Sequence, residues 1–328
     1  MSATLAQALN RALRDALADD PDVHLLGEDI GTLGGVFRVT DGLAAEFGPD
    51  RCADTPLAEA GILGAATGMA MYGLRPVVEM QFDAFGYPAF EQLVSHVAKM
   101  RNRTRGALPM PLTVRVPYGG GIGGVEHHGD SSEAYYMATP GLHVVTPATV
   151  ADAYGLLRQA IASDDPVVFL EPKRLYWTRD DTVELPAAVE PLGRAVLRRR
   201  GGDATLIAYG PAVPVCLAAA DAARDAGWDL GVLDLRTLVP FDDETVCADV
   251  RRTGRAVVVH EASGFAGPGA EIAARVTERC FHHLAAPVLR VTGHDIPYPP
   301  PMLERHHLPD VDRVLGAVAR LQWEEDPV

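Results

Sequence analysis

The chain has 328 residues, of which 48% are hydrophobic and 22% are charged. These fractions are typical of globular proteins and argue against a disordered, collagen-like or coiled-coil chain. At roughly 100–200 residues per domain, the length predicts about two domains. The 29 Lys and Arg residues against 44 Asp and Glu residues give a net charge of −15. We therefore expect neither nucleic acid nor an anionic membrane surface as the main partner, because both would repel the chain.

The cysteines and the apolar segments indicate the compartment. No two of the four cysteines form a Cys-x-x-Cys pair; they are Cys52, Cys216, Cys247 and Cys280. This spacing predicts reduced thiols in a cytoplasmic protein. The N-terminal segment carries charged residues throughout and shows no secretory signal. The longest apolar run, Ala60–Gly73, is too short to span a membrane and predicts a buried helix.

The first half of the chain alternates between helical and β-like patterns. Thr4 and Gln7 form a capping-box pattern ahead of leucines spaced four residues apart, which predicts an amphipathic helix. A second helical period extends from Phe90 to Met100. Five β-like runs are predicted at Val23–Leu26, Pro76–Phe82, Leu112–Val116, Leu142–Thr146 and Pro166–Leu170. Alternating strands and helices predict an α/β fold, a parallel sheet with helices on both faces.

The apolar period is lost between Thr178 and Leu192, and we place a domain boundary there. The predicted domains are residues 1–185 and 186–328. Strands are expected in the second domain at Thr205–Tyr209, Gly231–Leu235, Ala256–His260 and Val288–Val291. Helices are expected at Val213–Ala226, Asp243–Arg252, Gly269–Phe281 and Val311–Leu321. The second domain is therefore a smaller α/β unit.

A glycine-rich loop, Gly119–Gly124, contains the G-x-G-x-x-G pattern of dinucleotide-binding turns directly after a predicted strand. Such a turn should open a helix at once, yet Val125–Asp130 intervenes, and no acidic residue ends a second strand about 20 residues on. The pattern favours a flexible loop beside an active site. An NAD-binding oxidoreductase that uses this loop remains the alternative of a different class.

Glu59 is a lone carboxylate at the start of the longest apolar segment. It is either a first-turn acid that complements the helix dipole or a buried functional acid. Gly61, Gly64 and Gly68 follow it at spacings that let another backbone approach the helix closely, as at a subunit contact. This favours the functional interpretation, with Glu59 facing a partner chain.

Three further residues are candidates for a site. Phe85 follows a predicted strand at its carboxyl end, where open α/β sheets bind ligands, although it could equally belong to the core. Gln81 is either a satisfied buried amide or a ligand contact. His128 is either a surface histidine or a proton donor, since histidine is the side chain most suited to proton transfer near neutral pH.

Six motifs occur in one order along the chain. They are Gly27-Glu-Asp-Ile-Gly31, Asp54-Thr-Pro-Leu-Ala-Glu59, Glu79-Met-Gln-Phe82, His128-Gly-Asp-Ser-Ser-Glu133, Pro140-Gly-Leu-His-Val-Val-Thr-Pro147 and Asp234-Leu-Arg-Thr-Leu-Val-Pro240. With them the chain resembles, over nearly its whole length, the beta subunit of the decarboxylating component of 2-oxo acid dehydrogenase complexes. Glu171–Tyr176 and Pro88–Arg105 look most like the branched-chain enzymes.

The resemblance implies a transketolase-like pyrimidine-binding domain followed by a transketolase C-terminal-type domain. It also implies 3-methyl-2-oxobutanoate dehydrogenase activity, active only with an alpha subunit in an α2β2 heterotetramer, with pyruvate or acetoin as alternative substrates. Thiamine diphosphate would lie between the chains. The G-D-G and Asn-Asn pattern that holds Mg²⁺ and the diphosphate is absent here, which assigns them to the alpha subunit. The acyl group would pass to a lipoyl-bearing dihydrolipoyl acyltransferase core.

Site residues follow from the same resemblance. Glu59 would hydrogen bond to the ring nitrogen of the aminopyrimidine, in a pocket lined by Leu57 and Gln81. Phe85 would stack on the ring where relatives often have tyrosine. His128 would assist acyl transfer to lipoamide, and the adjacent His127 leaves open which of the two points inward. A monovalent cation such as K⁺ would bind at five positions, Leu112, Thr113, Ala160, Ser163 and Asp165. A catalytically silent scaffold remains a third hypothesis, and it predicts that Glu59→Gln leaves the assembled complex active.

Overall fold

The structure, a computed structural model, describes residues 3–322, so the extreme ends of the two predicted domains lie outside it. Twelve α-helices are found among these residues. They are α1 (Leu5–Asp19), α2 (Leu43–Phe47), α3 (Glu59–Tyr72), α4 (Tyr87–Gln92), α5 (Ala98–Arg103), α6 (Glu133–Met137), α7 (Val150–Ala162), α8 (Ala212–Ala222), α9 (Asp243–Thr253), α10 (Pro268–Cys280), α11 (Pro301–His307) and α12 (Val311–Ala319).

The strands of this part of the chain form two large sheets and one short pair. They are β1 (Ala3–Thr4), β2 (Val23–Gly27), β3 (Cys52–Asp54), β4 (Arg75–Glu79), β5 (Thr113–Tyr118), β6 (His143–Val145), β7 (Val167–Pro172), β8 (Arg179–Asp180), β9 (Val196–Arg199), β10 (Ala204–Ala208), β11 (Leu230–Asp234), β12 (Thr237–Val239), β13 (Ala256–Ser263) and β14 (Leu289–Gly293).

The first sheet has seven strands in the order β12-β6-β7-β5-β4-β2-β3. All of its neighbours are parallel except β12, which pairs antiparallel with β6. Successive residues of β4 and β7 point to opposite faces: Val77 and Phe169 join the core on the α1 and α7 side, and Val78 and Leu170 join the core on the α3 side. The predicted parallel sheet with helices on both faces is confirmed.

Helix α1 begins as its sequence predicted. The Thr4 hydroxyl accepts from the Gln7 backbone N–H, and the Gln7 side chain accepts from the Thr4 N–H. Both bonds satisfy groups that a helix start leaves free. Leu5, Leu9 and Leu13 are buried against α7. The four cysteines are also buried and unpaired, as expected.

The second sheet runs β14-β13-β10-β11-β9, with only β9 antiparallel. One face packs on α8 and α12. The other face, including Ile207 and Val258, belongs to the same continuous core as Val78 of the first sheet. The chain between β8 and β9 contains no helix or strand, and the predicted boundary at residues 185/186 falls within it. Leu185 and Leu192 of this connection pack against the first domain.

The two halves are also joined by β12, which follows β11 of the second sheet and adds to the edge of the first. Between β11 and β12, the fully buried Arg236 donates from Nε to Asp152 Oδ1 of α7 at 2.8 Å. Arg198 donates to both Asp152 and Asp234, which completes a buried ionic network across the domain contact. The motif at Asp234–Pro240 therefore connects the domains.

Three predicted elements differ from the structure. The strand expected at Pro76–Phe82 ends at Glu79, because tight turns at Phe82 and Asp83 lead directly into α4. The helix expected around Phe90–Met100 is continuous but contains a π-helical stretch between α4 and α5. The helix expected at Val213–Ala226 ends as an α-helix at Ala222 and continues as a 3₁₀ turn. Among residues 3–322, none of the helices has the length and apolarity needed to cross a membrane.

Candidate active site

The carboxyl ends of β2, β3 and β4 meet at one edge of the first sheet. Gly27 at the end of β2 is paired with Asp54 of β3 and with Glu79 of β4. The three motifs that follow these residues in the sequence are therefore neighbours in space. In open parallel sheets this edge is where ligands bind.

The loop after β2 is held to β3 by a carboxylate. Asp54 accepts from the backbone N–H of Gly31 at 2.6 Å and of Thr32 at 3.1 Å. The Gly31 hydrogen bond holds the pKa of Asp54 below its usual range. A Cβ at Gly31 would press on this carboxylate, so only glycine fits the turn without displacement. The loop carrying Glu28 and Asp29 is thus fixed against the end of β3.

Glu59 is the first residue of α3 and is half-buried in this single chain. The sequence predicts a functional acid that faces a partner chain; in this chain alone the helix start faces outward, and burial of Glu59 in an assembly stays a prediction. The neighbouring Glu28 is buried, and its Oε1 has no hydrogen-bond partner among the described residues. Burial, and next the nearby Glu59 and Asp29 carboxylates, raise the pKa of Glu28. A buried carboxyl group without a partner is available to hydrogen bond with a polar ligand.

Gln81 lies two residues beyond β4 and not within it. Its Nε2 donates to Asp29 Oδ2 at 3.1 Å. Asp29 itself adopts a left-handed backbone conformation, with φ of 58°. Because the amide nitrogen is used by Asp29, the Gln81 carbonyl oxygen is left to accept from a ligand.

Phe85 and His128 meet in an aromatic cluster. The His128 ring packs edge-on against Phe82 at 4.6 Å and Phe85 at 5.4 Å between centroids. Its Nδ1 lies 3.1 Å from the Val125 carbonyl oxygen, so Nδ1 carries the proton of that hydrogen bond and Nε2 faces away. His127 is exposed, and His128 is the histidine turned toward Phe85.

Leu57 stands apart from this group. Its side chain is 80% exposed on the segment before α3. The structure therefore brings Glu59, Gln81, Phe85 and His128 to one edge of the sheet and leaves the Leu57 side of the site open to solvent.

The glycine loop does not have the form of a dinucleotide-binding turn. Gly120 N–H donates to Glu261 and Gly121 N–H donates to Glu304, each at 2.8 Å. In a dinucleotide-binding turn these backbone N–H groups would donate to the pyrophosphate, but here they already donate to carboxylates. The next helix, α6, begins only at Glu133 and has five residues. This geometry argues against the NAD-binding alternative.

Two buried acids near the loop were missed at the sequence level. Asp83 is fully buried and accepts from both the backbone N–H and the hydroxyl of Ser132, and burial raises its pKa to about 6. Glu133 is also fully buried and accepts from Tyr209 Oη at 3.2 Å, and burial raises its pKa to about 8. Nothing in the local pattern distinguishes them from surface acids, because their partners are distant in sequence.

The branched-chain-like stretch Glu171–Tyr176 has a structural role in the core. Arg115 of β5 donates to both Glu171 and Glu79, and Tyr176 Oη donates to Glu171 at 2.6 Å. Lys173 is buried with its Nζ 3.4 Å from the Pro117 carbonyl oxygen, and burial lowers its pKa to about 8.

Among the five positions suggested for a monovalent cation, Ser163 donates to the Ala160 carbonyl at 3.2 Å and to the Asp165 carbonyl at 3.0 Å, and Thr113 is paired with Val167 in the sheet. Val167 N–H donates to the Leu112 carbonyl at 3.0 Å, and Met110 N–H donates to the Asp164 carbonyl at 2.9 Å. The Ser163 carbonyl accepts from the Arg75 guanidinium at 3.1 Å. Carbonyl oxygens have two lone pairs, so such contacts leave acceptor positions. Among the described residues, there is no cluster of His, Cys, Asp and Glu side chains that could hold a metal ion.

Comparison with known proteins identifies the fold first. Residues 1–178 match the family described as transketolase, pyrimidine binding domain, and residues 193–314 match transketolase, C-terminal domain. A solved structure titled "Split gene transketolase, inactive beta4 tetramer" superimposes with a TM-score of 0.79 over 97% of both chains at 23% identity. The chain thus has the two-domain transketolase architecture that its motifs predicted.

Closer relatives then identify the family. The chain is 54% identical over 321 residues to a 3-methyl-2-oxobutanoate dehydrogenase subunit beta of Mycobacterium tuberculosis, covering 98% of this chain and 92% of the relative. It is 52% identical over 97% of its length to a pyruvate dehydrogenase E1 component subunit beta of Leifsonia xyli, of which 94% is covered. A 2-oxoisovalerate dehydrogenase subunit beta of Pseudomonas aeruginosa is 46% identical, with 91% of this chain and 89% of the relative covered. The chain belongs to the family of beta subunits of the decarboxylating component of 2-oxo acid dehydrogenases.

Proposed function

We propose that this chain is the beta subunit of a branched-chain 2-oxo acid dehydrogenase, with 3-methyl-2-oxobutanoate as substrate. It would act in the cytoplasm as half of each active site in an α2β2 assembly with an alpha subunit. The observation that carries the proposal is the incomplete site: Glu59 is half-buried at the start of α3, and Leu57 is 80% exposed beside it. A second chain against this edge would bury both.

The residues at this edge fit the aminopyrimidine end of thiamine diphosphate. Glu28 Oε1 is buried without a partner among the described residues, and a buried polar atom of this kind calls for a polar ligand. The Gln81 amide nitrogen donates to Asp29, which leaves its carbonyl oxygen able to accept from such a ligand. The described residues offer no cluster of acids and histidines for Mg²⁺, which we assign with the diphosphate to the alpha subunit.

Each residue of the site has a defined part in this proposal. Glu59 would hold a proton toward the pyrimidine ring nitrogen, Gln81 would accept from the amino group, and Phe85 would pack against the ring. Bound thiamine diphosphate supplies the electron sink that lets CO₂ leave the 2-oxo acid. The chain's own side chains would orient the cofactor and would donate and accept protons.

Acyl transfer is the second half of the reaction. In the overall reaction, the bond from the acyl carbon to the carboxylate would break and release CO₂, and the electron pair of that bond would reduce the lipoyl S–S bond. The acyl carbon would form a bond to one sulfur and the other sulfur would take one proton, so the products would be CO₂ and an acylated dihydrolipoyl group. His128, with Nδ1 donating to the Val125 carbonyl, presents Nε2, which would donate that proton from the imidazolium form of the ring, in which both nitrogens carry a proton.

The assembly and the substrate can be tested together. The chain is expressed alone and with a candidate alpha subunit, and decarboxylation is measured with thiamine diphosphate and Mg²⁺. Activity only in a mixed tetramer, with 3-methyl-2-oxobutanoate preferred over pyruvate, supports the proposal. Preference for pyruvate selects the second candidate, which the pyruvate dehydrogenase relative at 52% identity favours. A lone chain that binds NAD overturns the proposal.

Substitutions in the mixed complex test the residue roles. We expect Glu59→Gln to slow decarboxylation at least about tenfold, since one charged hydrogen bond contributes about 1.5–3 kcal/mol. We expect His128→Ala to impair acylation of a lipoyl domain and to spare decarboxylation coupled to an artificial electron acceptor. Full activity of Glu59→Gln would favour the scaffold hypothesis, and equal losses for His128→Ala in both assays would contradict its role.

We also propose that a monovalent cation binds at the carbonyl groups around Leu112 and Ser163. The melting temperature of the chain should then be higher in KCl than in choline chloride at equal ionic strength. Equal melting temperatures would contradict the cation site.

A further inference from the structure

The loop that carries His128 contacts both domains: Tyr87 of the first domain donates to Asp130 at 3.1 Å, and residues of the second domain hold its first glycines. The loop has two arms, an outgoing arm that begins at Gly119 and a returning arm that ends at Gly129–Asp130. Gly119 N–H donates to the Asp130 carbonyl at 2.7 Å and joins the two arms at the base of the loop. Between these arms the loop exposes Ile122, Val125 and His127 to solvent. A glycine-rich segment of this kind has little intrinsic rigidity, so its position must come from contacts at its base.

Tyr298 is the first of these contacts. It lies on the segment between β14 and α11, is 8% exposed, and is wedged between the two arms. A Cβ built on Gly120 would overlap its hydroxyl, and one built on Gly129 would overlap its ring. The absence of side chains at Gly120 and Gly129 is therefore what admits the Tyr298 ring into the base of the loop.

Carboxylates of the second domain provide the other contacts. Glu304 of α11 accepts from Tyr298 Oη at 2.6 Å and from Gly121 N–H at 2.8 Å through the same Oε1. Glu261 of β13 accepts from Gly120 N–H at 2.8 Å, and its other oxygen accepts from Arg174 at 2.8 Å. Carboxylates of the second domain therefore hold the backbone of Gly120 and Gly121.

We propose that Tyr298 and Glu304 form a clamp in the second domain that sets the position of His128 for acyl transfer. This inference rests on the proposed function of His128. Tyr298 and Glu304 are positioning residues, since they act through the loop and not on the substrate. The aromatic contacts with Phe82 and Phe85 set one side of the His128 ring, and the clamp sets the backbone that presents it. A displacement of about 1 Å in such a group is enough to cost a factor of about 100 in rate.

The test uses the assembled complex and two assays, lipoyl-domain acylation and decarboxylation with an artificial electron acceptor. We expect Glu304→Ala to lower kcat/KM for acylation by about 10–100-fold and to change decarboxylation by less than about threefold, because only His128 is displaced. Glu304→Gln keeps an acceptor oxygen for Gly121 N–H, so it should restore acylation to within about threefold of the unmodified chain. Glu278→Ala, at an exposed glutamate of α10, is the matched control.

His128→Ala separates the two proposals. If His128→Ala impairs acylation alone and Glu304→Ala acylates normally, the clamp is wrong and the role of His128 stands. If His128→Ala affects both assays equally, the proposed function of His128 is wrong. Equal losses in both assays for Glu304→Ala, without rescue by Glu304→Gln, also overturn the clamp.

A milder variant covers the case in which Glu304→Ala does not fold. Tyr298→Phe keeps the ring between Gly120 and Gly129 and removes only the hydroxyl that donates to Glu304. We expect it to lower acylation about three- to tenfold with decarboxylation unchanged, as for the loss of one hydrogen bond of about 1 kcal/mol. Unchanged acylation in Tyr298→Phe would overturn the clamp.

Discussion

Asp29 is a single residue that holds another side chain of the candidate site, Gln81, by a hydrogen bond. Its φ of 58° is a left-handed conformation that most residues adopt at a cost, and its carboxylate fixes the Gln81 amide. A backbone held in this region beside a candidate site is consistent with a functional constraint. We infer that the Asp29 side chain, and not only its backbone, orients Gln81.

Two substitutions separate the side chain from the backbone. Glycine and asparagine both tolerate the left-handed conformation, but only asparagine retains an acceptor for Gln81. In the mixed complex, Asp29→Gly should weaken thiamine diphosphate binding about tenfold, the equivalent of one hydrogen bond of about 1.4 kcal/mol, and Asp29→Asn by less than about threefold. The dissociation constant is measured by titration. Equal affinities for both variants would contradict the orienting role.

Glu133 is a buried acid at the contact between the domains. Burial, assisted by the Asp83 and Glu261 carboxylates, raises its pKa to about 8 from the ordinary 4.5, although the Tyr209 hydroxyl favours the charged form. Its Oε2 has no partner among the described residues. The folded chain therefore keeps this carboxyl protonated at a pH where the unfolded chain has released the proton.

This raised pKa predicts a pH-dependent loss of stability. Below about pH 4.5 both states bind the proton, and the contribution of Glu133 is fully present; it is lost as the pH rises toward 8, at up to about 1.4 kcal/mol per pH unit. The free-energy gain from Glu133→Gln should accordingly be small at pH 5 and grow to a plateau above pH 8. Urea unfolding at several pH values measures it, with Glu184→Gln at an exposed position as the control. A pH-independent difference would contradict the prediction.

At the scale of elements, β12 links the two domains, because it follows the second sheet in the chain and pairs with the first. It leaves the second sheet and pairs with β6 of the first, while Arg236 beside it is fully buried. Arg236 donates to Asp152 and to the carbonyls of Arg194 and Glu190. A buried guanidinium whose three nitrogens each donate in this way holds together three segments that are distant in sequence.

Removing Arg236 should therefore destabilise the whole chain. Arg236→Met leaves Asp152 short of one partner in a buried setting, which we expect to cost about 3–5 kcal/mol of unfolding free energy. Arg224→Met removes an arginine whose side chain is 67% exposed and should cost less than about 0.5 kcal/mol. Urea unfolding compares the two. A cost for Arg236→Met as small as that for Arg224→Met would show that the network does not hold the domains.

At the scale of the whole molecule, α3 presents a face that its own chain leaves uncovered. Ala60, Gly61, Ala65 and Gly68 are exposed, and Tyr72 at its end is 87% exposed. A Cβ at Gly68 would meet no atom within 4 Å. The exposed face of this helix is apolar and is made of small residues, so another chain could pack closely against it. Glu59 lies at the start of this helix, so the same contact would complete the proposed site.

A bulky residue at Gly68 tests this face. Gly68→Leu should leave the single chain folded, and slightly more stable because leucine favours a helix by up to about 1 kcal/mol over glycine. It should weaken assembly with the alpha subunit at least about tenfold, as seen by analytical ultracentrifugation. Gly316→Leu, at an exposed glycine of α12 where an added Cβ would likewise meet no atom within 4 Å, should assemble normally. Normal assembly of Gly68→Leu would place the contact elsewhere.

Local patterns predicted many of the helices and strands and named candidate residues for the site. The Thr4–Gln7 capping box, the alternation of strands and helices, and the family motifs at Glu59 and His128 each depend on residues a few positions apart. Glu28 and Asp29 lie in the motif Gly27–Gly31, but the motif does not predict what either carboxylate contacts. The burial and contacts of these two carboxylates depend on segments that are distant in sequence. Gln81, which donates to Asp29, is 52 residues away from it.

The sequence by itself determined the α/β class, the order of most elements, the family and the candidates Glu59, Gln81, Phe85 and His128, because helix caps, hydrophobic periodicity and motif order are local properties. Only the tertiary structure decided that Glu59 is left half-buried, that His128 and not His127 meets Phe85, and that the glycine loop is bonded to acids of the second domain. Glu304 is 183 residues from Gly121, and Tyr209 is 76 residues from Glu133. Contacts at such separations depend on how the sheets pack, and their effect on burial and charge becomes defined only when the chain has folded.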